Sequence, residues 1–337
     1  MAVEQINWYL RENCNANPRC DYCFETVASK CQREASFSET DLRIAEVLAD
    51  SGVRKVTLTG GEPLLSVDVV KVSERLHSSG IRVSLHTNGL LLSDEKLDQL
   101  AGVVDVIGLS IDSVNPNIQA SLRSQEFVDK VSSRISDLTE DIRVRGMGVE
   151  YHTVFNWLNA GNMRMTYRRL KNNDFSQWKI YEQNFDLGEY TDGTDGGTIR
   201  YGGTDGLQAN FLLTEDKFRV YGDKRVSFLS QDDRRKYFFL GQGGEIMFRR
   251  SHFLESLPIG NILVDNFEDI STRWDEFNNG DPDKSDIEQF WQRQEYLPFF
   301  KRYYWGFVSK DEMVEIDGRS CPRIERLADL YGRHESE

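Results

Sequence analysis

The sequence has few cysteines, few histidines and no long apolar run, and each scarcity excludes a class of protein. Five cysteines occur in 337 residues, and this odd number argues against a disulfide framework. No apolar run reaches the length of a membrane span. The five histidines form no obvious triad with a serine or a paired carboxylate. These features favour a globular protein of a reducing compartment.

Basic residues are also in deficit. Lysine and arginine number 41 against 55 acidic residues, so the formal net charge is −14. A nucleic acid polymer or an anionic membrane needs a basic surface on its partner, and this balance argues against both. The first ten residues, MAVEQINWYL, lack the basic and apolar regions of a signal peptide. We expect a cytoplasmic protein that can still hold a small anionic ligand through a few local basic groups.

Strand and helix patterns alternate through the first half of the chain. The segments typical of strands are Ile6–Leu10, Val56–Leu58, Val83–Leu85, Val106–Ser110, Val149–Phe155 and Trp178–Tyr181. Amphipathic segments lie between them, such as SETDLRIAEVLADSG, in which Ser38 begins the helix and Gly52 ends it. This alternation predicts parallel strands with right-handed crossovers. The expected fold class is α/β, a partial (β/α)6 TIM-like barrel with a C-terminal α+β cap.

The pattern changes after residue 185. Asp186–Gly206 is rich in Gly, Asp and Thr and is typical of a flexible loop. KYFFLGQGGEIMFRR then predicts a hairpin, and PIGNILVDNFEDISTRWDEF predicts a turn followed by a helix. We therefore predict a core barrel over residues 1–215 and a substrate-covering cap over residues 216–337.

Unusual residues follow the predicted strand ends. Cys14 follows the first strand, TGGEP the second and HTNG the third, while SID, Asn156 and Glu182 mark the ends of the next three. In barrels of this type the chemistry collects at the C-terminal ends of the strands. The sequence therefore predicts a functional site at this rim.

Three of the five cysteines, Cys14, Cys20 and Cys23, lie within the stretch CNANPRCDYC. Thiolates are soft ligands that select zinc, cuprous copper or iron–sulfur clusters. A four-iron cluster held by only three cysteines leaves one iron open to a small molecule, and Tyr22 would lie beside it. The alternative is a closed four-thiolate zinc or iron–sulfur site completed by Cys31, in a protein that is not an enzyme.

CNANPRCDYCF followed by TGGEP resembles the radical S-adenosylmethionine (SAM) superfamily, and the resemblance covers about the first 185 residues. The usual gap between the first two cysteines is three residues; here it is five, so the loop must bulge. The resemblance implies a [4Fe–4S] cluster on Cys14, Cys20 and Cys23. It also implies that the open iron binds SAM, and that reductive cleavage of SAM yields a 5′-deoxyadenosyl radical that removes hydrogen from a substrate.

The resemblance assigns further residues to the cofactor pocket. Gly60, Gly61 and Glu62 match the motif that meets the methionine amino group of SAM. Two residues without side chains let a ligand approach the backbone, and a carboxylate pairs with an ammonium group. The other implied cofactor contacts are Tyr22, Thr87, Asn88, Ser110 and Asn156. His86, which lies in the same segment, is expected to be a packed core residue.

Within the superfamily, INWYLRENCN, TVFNWLNAGNM and WKIYEQ are similar to viperin and its prokaryotic relatives, which are nucleotide dehydratases. Lys55, Arg123 and Lys179 match basic positions that hold the substrate triphosphate in that family. Glu150 and Gln177 stand where two further basic side chains are expected, and a carboxylate would repel a triphosphate. A less charged substrate, a peptide or another small molecule therefore stays an alternative.

The C-terminal segment looks more like the tail of the molybdenum-cofactor cyclase and of peptide-modifying maturases. It contains a single cysteine, Cys321, so we expect no auxiliary cluster there. The aromatic run FWQRQEYLPFFKRYYWGFV either packs the cap on the barrel or stacks a base, with Lys301 and Arg302 on phosphate. The resemblance also implies an electron donor such as a flavodoxin or a ferredoxin.

Overall fold

Six parallel strands in chain order form the centre of the computed structural model, which describes residues 3–11, 13–17, 20, 22–23, 38–183, 190–191, 198–199, 204–230, 237–249, 256–279, 308–316 and 319–324. The strands are β1 (Gln5–Arg11), β2 (Lys55–Gly60), β3 (Arg82–Thr87), β4 (Val106–Ser110), β5 (Gly148–Phe155) and β6 (Gln177–Glu182). Each neighbouring pair is parallel. All six strands predicted from the sequence are confirmed.

Six helices of seven or more residues connect these strands in the described part of the chain. They are α1 (Ser38–Asp50), α2 (Val69–Ser78), α3 (Asp94–Leu100), α4 (Pro116–Leu122), α5 (Ile135–Val144) and α6 (Met163–Leu170). Short side chains begin two of them: Ser93 accepts the N–H of Lys96 at 3.2 Å before α3, and Asn115 accepts the N–H of Ile118 at 3.3 Å before α4. Such caps satisfy N–H groups that have no partner within the helix.

The face of the sheet that packs on the helices is apolar. Ile6, Trp8 and Leu10 alternate along β1, are fully buried, and belong to one apolar core with Ile44 and Leu48 of α1. Burying a side chain of this size stabilises the fold by roughly 1.5–3 kcal/mol. Alternation of this kind turns the intervening residues to the opposite face, which is the barrel interior.

The interior face is polar. The register of the parallel strands places Thr57 beside Ser84, and it places His86, Gly108 and Glu150 in one row across β3, β4 and β5. A second row, one level nearer the C-terminal rim, contains Ser110, His152 and Lys179. The barrel thus presents ionisable groups to its interior, between an apolar outer layer and the strand ends.

After β6, the strands β7 (Tyr190–Thr191) and β8 (Thr198–Ile199) form a separate two-stranded pair. Four further strands then extend the main sheet: β9 (Val226–Leu229), β10 (Phe238–Leu240), β11 (Glu245–Arg249) and β12 (Ser256–Asn261). The helices of this part of the chain are α7 (Thr204–Arg219) and α8 (Phe267–Asn279). β9 adds to β6 in parallel, and β10 adds to β1 in parallel. β10 and β11 form the predicted hairpin. The segment predicted as a turn followed by a helix begins with Pro258, which lies in β12, and it continues into the helix α8.

The predicted loop and the predicted boundary between barrel and cap both fall in the region after β6. The predicted flexible loop contains the β7–β8 pair, and the rest of it up to residue 203 lies outside the described residues. The boundary predicted after residue 215 falls within α7 and stays a prediction. A last antiparallel pair joins β13 (Val308–Ile316) and β14 (Arg319–Ile324). Among the described helices, none has both the length and the apolar character that crossing a bilayer requires.

Candidate functional site

The loop after β1 is fastened to the glycine pair that ends β2. The N–H of Gly61 donates to the carbonyl of Arg11 at 2.7 Å, and the N–H of Glu62 donates to the carbonyl of Asn13 at 2.9 Å. Gly60 has a φ of 128°, and a Cβ at this position would overlap the Arg11 carbonyl oxygen. Glycine is therefore required here, because any side chain would push the loop that carries Cys14 away from β2.

Glu62 lies buried beneath this contact with both carboxylate oxygens in use. One oxygen accepts the hydroxyl of Thr87 at 2.8 Å and the N–H of Leu64 at 3.1 Å, and the other accepts the N–H of Asn88 at 2.8 Å. Burial raises the pKa of Glu62 to about 7, although these three hydrogen bonds act to lower it. A cation beside this carboxylate would favour its ionised form.

Asn88 connects the end of β3 to the first cysteine. Its Nδ2 group donates to the Asn15 side chain at 2.8 Å and approaches the Cys14 Sγ at 3.6 Å. Its Oδ1 accepts the N–H of Leu90 at 2.9 Å, which fixes the orientation of the amide. The predicted cofactor residues Thr87 and Asn88 thus touch Glu62 and the cysteine loop respectively.

A second network holds the other end of the cysteine loop. Arg123 donates from Nε to Asp112 Oδ2 at 2.6 Å, and its Nη1 approaches the Cys20 Sγ at 3.8 Å. The Tyr22 hydroxyl donates to the same Asp112 oxygen, and the Arg123 guanidinium lies 5.8 Å from the centre of the Tyr22 ring. The structure therefore places Arg123 beside the cysteine loop with Asp112 as its partner, where the sequence predicted a phosphate contact.

Cys14, Cys20 and Cys23 form no disulfide, and they lie close enough for their thiols to influence one another's pKa. Burial raises the pKa of Cys20 to about 11, with Arg123 opposing that rise and the other two thiols adding to it. Burial likewise raises the pKa of Cys14. Three neighbouring thiols that cannot ionise together without a nearby positive charge fit a metal cluster, since iron stabilises the thiolate form.

The remaining predicted cofactor residues stand at the rim. Ser110 ends β4 beside His152. The Asn156 side chain is buried and forms the turn after β5, because its Oδ1 accepts the N–H groups of Leu158 at 3.0 Å and Asn159 at 3.2 Å. Its contacts are those of a local turn residue, and its predicted contact with SAM stays a prediction.

The predicted phosphate residues on β2 and β6 project into the barrel interior together with Glu150. Lys179 Nζ is 2.6 Å from Glu150 Oε2, and the same oxygen is 3.4 Å from His152 Nε2. Burial opposes ionisation of Glu150, but the hydrogen bond to His152 and the Lys179 charge lower its pKa to about 2. Burial and the Lys179 charge lower the pKa of Lys55.

His86, predicted as a packed core residue, lies in this interior group. Its ring meets the His152 ring edge-on, with 4.0 Å between centroids. Burial lowers the pKa of His86 well below its ordinary value, and it lowers that of His152 as well. The sequence analysis assigned His152 no role, although polar residues at alternate positions of β5 were a signal for it.

Gln177, at the first position of β6, donates to the Ser227 hydroxyl at 3.0 Å.

Several predicted residues cannot be placed. Cys31, Lys301 and Arg302 lie outside the described residues, and so does most of the aromatic run near the C-terminus. The alternative of a four-cysteine site therefore rests on a position for which the structure gives no geometry. Cys321 lies in β14, in the separate C-terminal pair of strands.

Comparison with known proteins agrees with this geometry. Residues 9–151 match the family model described as the Radical SAM superfamily, and they include the three cysteines, Glu62 and Asp112. This part of the chain is therefore similar to radical SAM domains. Such a domain implies a [4Fe–4S] cluster and SAM as cofactors, and the three thiols beside a buried carboxylate fit both groups.

Two relatives carry names that refer to nucleotides. The S-adenosylmethionine-dependent nucleotide dehydratase of Flammeovirga pacifica is 25% identical over 300 residues, which cover 82% of this chain and 93% of that protein. The probable GTP 3′,8-cyclase of Methanothermobacter thermautotrophicus is 29% identical over 139 residues, or 41% of this chain. The chain spans 45% of the length of that cyclase. The domain and these names indicate an enzyme.

The fold is shared with solved structures that have S-adenosylmethionine bound. Streptococcus suis SuiB bound to S-adenosylmethionine matches with a TM-score of 0.59 at 16% identity, over 80% of this chain and 65% of that one. At this identity the likeness concerns the fold, and it confirms the partial TIM-like barrel.

Proposed function

We propose that this radical SAM enzyme acts on a nucleotide, and that its reaction is the dehydration of a ribonucleoside triphosphate to the 3′-deoxy-3′,4′-didehydro form. The observation that carries the proposal is the position of three neighbouring thiols and buried Glu62 directly above a barrel interior that contains Lys55 and Lys179. The nucleotide-related names of two relatives support the same substrate class.

The residues of this chain would divide the work between the rim and the interior. When bound, the cluster and SAM supply a 5′-deoxyadenosyl radical. Cys14, Cys20 and Cys23 would hold the cluster, while the ionised carboxylate of Glu62 would hold the ammonium group of SAM. Thr87 and the Asn88 backbone fix the Glu62 carboxylate, so that its charge is already oriented before the cofactor arrives.

The substrate would lie below SAM, with its phosphates toward the interior lysines. Lys55 and Lys179 are suited to phosphate oxygens, because ammonium groups donate charge-assisted hydrogen bonds. Loss of hydrogen from C4′ and of the 3′ hydroxyl as water would require two electrons and one proton, counting the electron that cleaves SAM. We infer that a flavodoxin or a ferredoxin supplies the two electrons in the cytoplasm, and that the proton comes from solvent.

The test is nucleotide-dependent formation of 5′-deoxyadenosine. Anaerobically reconstituted and reduced enzyme is incubated with SAM and each of the four common ribonucleoside triphosphates, with the matching nucleosides as controls. The proposal expects one triphosphate to accelerate 5′-deoxyadenosine release several-fold and its nucleoside to have no effect. Acceleration by a peptide, and by no nucleotide, would contradict it. Mass spectrometry of the product, with a loss of one water, identifies the dehydration itself.

A further inference from the structure

Two histidines and a glutamate meet in the barrel interior, apart from the cysteine loop. His86 on β3 and Glu150 on β5 lie in one row with Gly108 between them, and His152 is the next interior residue along β5. One nitrogen of each histidine and one Glu150 oxygen all lie within 4.8 Å of one another. Imidazole nitrogens and a carboxylate oxygen are together the ligands of many transition-metal sites.

We propose that His86, Glu150 and His152 bind a divalent first-row transition-metal ion. The three ligands come from two strands of a rigid sheet, so their spacing is fixed by β-pairing and does not depend on a loop. Three protein ligands also leave coordination positions open for oxygen atoms of water or of a substrate.

The buried nitrogen of His86 is the first independent support. Its Nε2 atom is buried and has no hydrogen-bond partner among the residues that the structure describes. A buried polar atom without a partner costs about 1–3 kcal/mol. A metal ion between His86 and His152 would satisfy this atom, whereas the packing of a core histidine alone leaves it unsatisfied.

The absence of a side chain at Gly108 on β4 is the second independent support for the metal site. A Cβ at Gly108 would lie 2.6 Å from the His86 ring and 2.7 Å from the His152 ring. Both distances are too short for any residue other than glycine. The two rings therefore meet over a strand position that only glycine leaves clear, and they meet edge-on at 4.0 Å between centroids.

Lys179 fits the site as a neighbour of the carboxylate. It donates to Glu150 Oε2 at 2.6 Å, and an ionised carboxylate has further lone pairs on its two oxygens with which to bind an ion. Hydrogen bonds to the ligating carboxylate are usual around bound metal ions and orient it. The Lys179 side chain is 14% exposed.

The ion would also explain a charge that does not suit the proposed substrate. Glu150 stands where a basic residue was expected to face phosphate, and an uncompensated carboxylate would repel that group. A divalent ion on Glu150 reverses the local charge and offers its open positions to phosphate oxygens. This part of the inference rests on the proposed function; the metal site itself does not.

The experiment measures Mn²⁺ binding by electron paramagnetic resonance on the full-length enzyme, reconstituted anaerobically and then freed of loose iron by chelator and gel filtration. The variants are His86→Ala, His152→Gln and Glu150→Gln. The matched control is His77→Ala, because His77 lies on α2, its side chain is 43% exposed, and it is outside the barrel interior. Absorbance of the cluster and circular dichroism report whether each variant is folded.

We expect one Mn²⁺ per chain in the wild type and in His77→Ala, with the affinity reduced by roughly ten-fold or more in each folded interior variant. Absence of a Mn²⁺ site in the wild type, or equal affinity in all variants, would overturn the inference. If Mn²⁺ binds as expected while no nucleotide stimulates 5′-deoxyadenosine release, the metal site stands and the proposed function fails.

Discussion

Glu62 is a predicted cofactor residue whose ionisation changes near neutral pH. It is a fully buried carboxylate with three hydrogen-bond donors, and burial still keeps its pKa near 7. Because the folded pKa is raised above its ordinary value of 4.5, Glu62 favours folding below pH 4.5, and this contribution is lost as the pH rises through about 7. An ammonium group beside Glu62 favours the ionised carboxylate and therefore lowers its pKa.

We therefore predict that SAM binding weakens as the pH falls below 7. Between pH 7.5 and pH 6 the ionised fraction of Glu62 drops, so the affinity for SAM should fall on the order of ten-fold. The measurement is isothermal titration of reconstituted enzyme at several pH values. Glu62→Gln should bind SAM weakly and lose this pH dependence. Equal pH profiles for the wild type and the variant would contradict the role of Glu62.

The second prediction at this scale concerns Asp112. Its carboxylate is fully buried and accepts hydrogen bonds from Arg123, from the Tyr22 hydroxyl and from the N–H of Val154, the last at 2.9 Å. Asp112→Asn would leave the buried Arg123 guanidinium without its counter-charge, and we expect the free energy of unfolding to fall by about 3–5 kcal/mol. Urea denaturation measures the difference.

An exposed pair provides the control for Asp112. Arg134 and Asp141 are 3.8 Å apart, with side chains 59% and 37% exposed. Asp141→Asn should change the free energy of unfolding by less than about 1 kcal/mol, because solvent screens such pairs. If both variants lost the same amount, burial of the Asp112 network would not be the source of its stability.

At the scale of elements, the end of β2 positions the cysteine loop. Gly60→Ala would force a Cβ against the Arg11 carbonyl at a φ of 128°. We expect this variant to lose SAM affinity by ten-fold or more, because the loop that carries Cys14 must shift. Gly80→Ala is the matched control: it also has a positive φ, of 79°, but open space around it. That variant should lose about 1 kcal/mol of stability and keep its affinity for SAM. Titration with SAM and thermal melting separate the two effects.

The sequence predicted the elements that depend on local pattern. Alternation around Trp8 and Trp178 predicted strands, and Ser38 with Gly52 predicted the bounds of a helix, because these signals act within a few residues. The pairing of β10 with β1 and of β9 with β6 involves segments far apart in the chain, and no local pattern encodes such partners. α7 was missed because it begins within a segment rich in glycine and threonine.

The same distinction between local pattern and long-range pairing applies to the candidate site. The cysteines, Glu62 and the rim residues follow from motif spacing and from the rule that parallel strands end at one edge. The partners of Arg123 and His86 depend on strand register and on which side chains share a face. Gly108 shows this best, because its role appears only when the rings of His86 and His152 are placed over it.

Across the whole molecule, the sheet separates two environments. Its helix-facing side is one continuous apolar core, and its inner side collects ionisable groups below the cysteine loop. In a chain of net charge −14, the described interior cations Lys55 and Lys179 would draw an anionic substrate to a small part of the molecule. We propose that a cluster with one iron free of protein ligands stands at the mouth of this interior.

Iron content combined with electron paramagnetic resonance of the reduced cluster shows whether this open iron exists. We expect four irons per chain, a reduced-cluster signal that changes when SAM is added, and loss of both in Cys14→Ala. Cys31→Ala should retain the iron, the signal and the change with SAM. A protein that holds zinc instead of iron, or that loses its metal in Cys31→Ala as fully as in Cys14→Ala, would contradict this proposal.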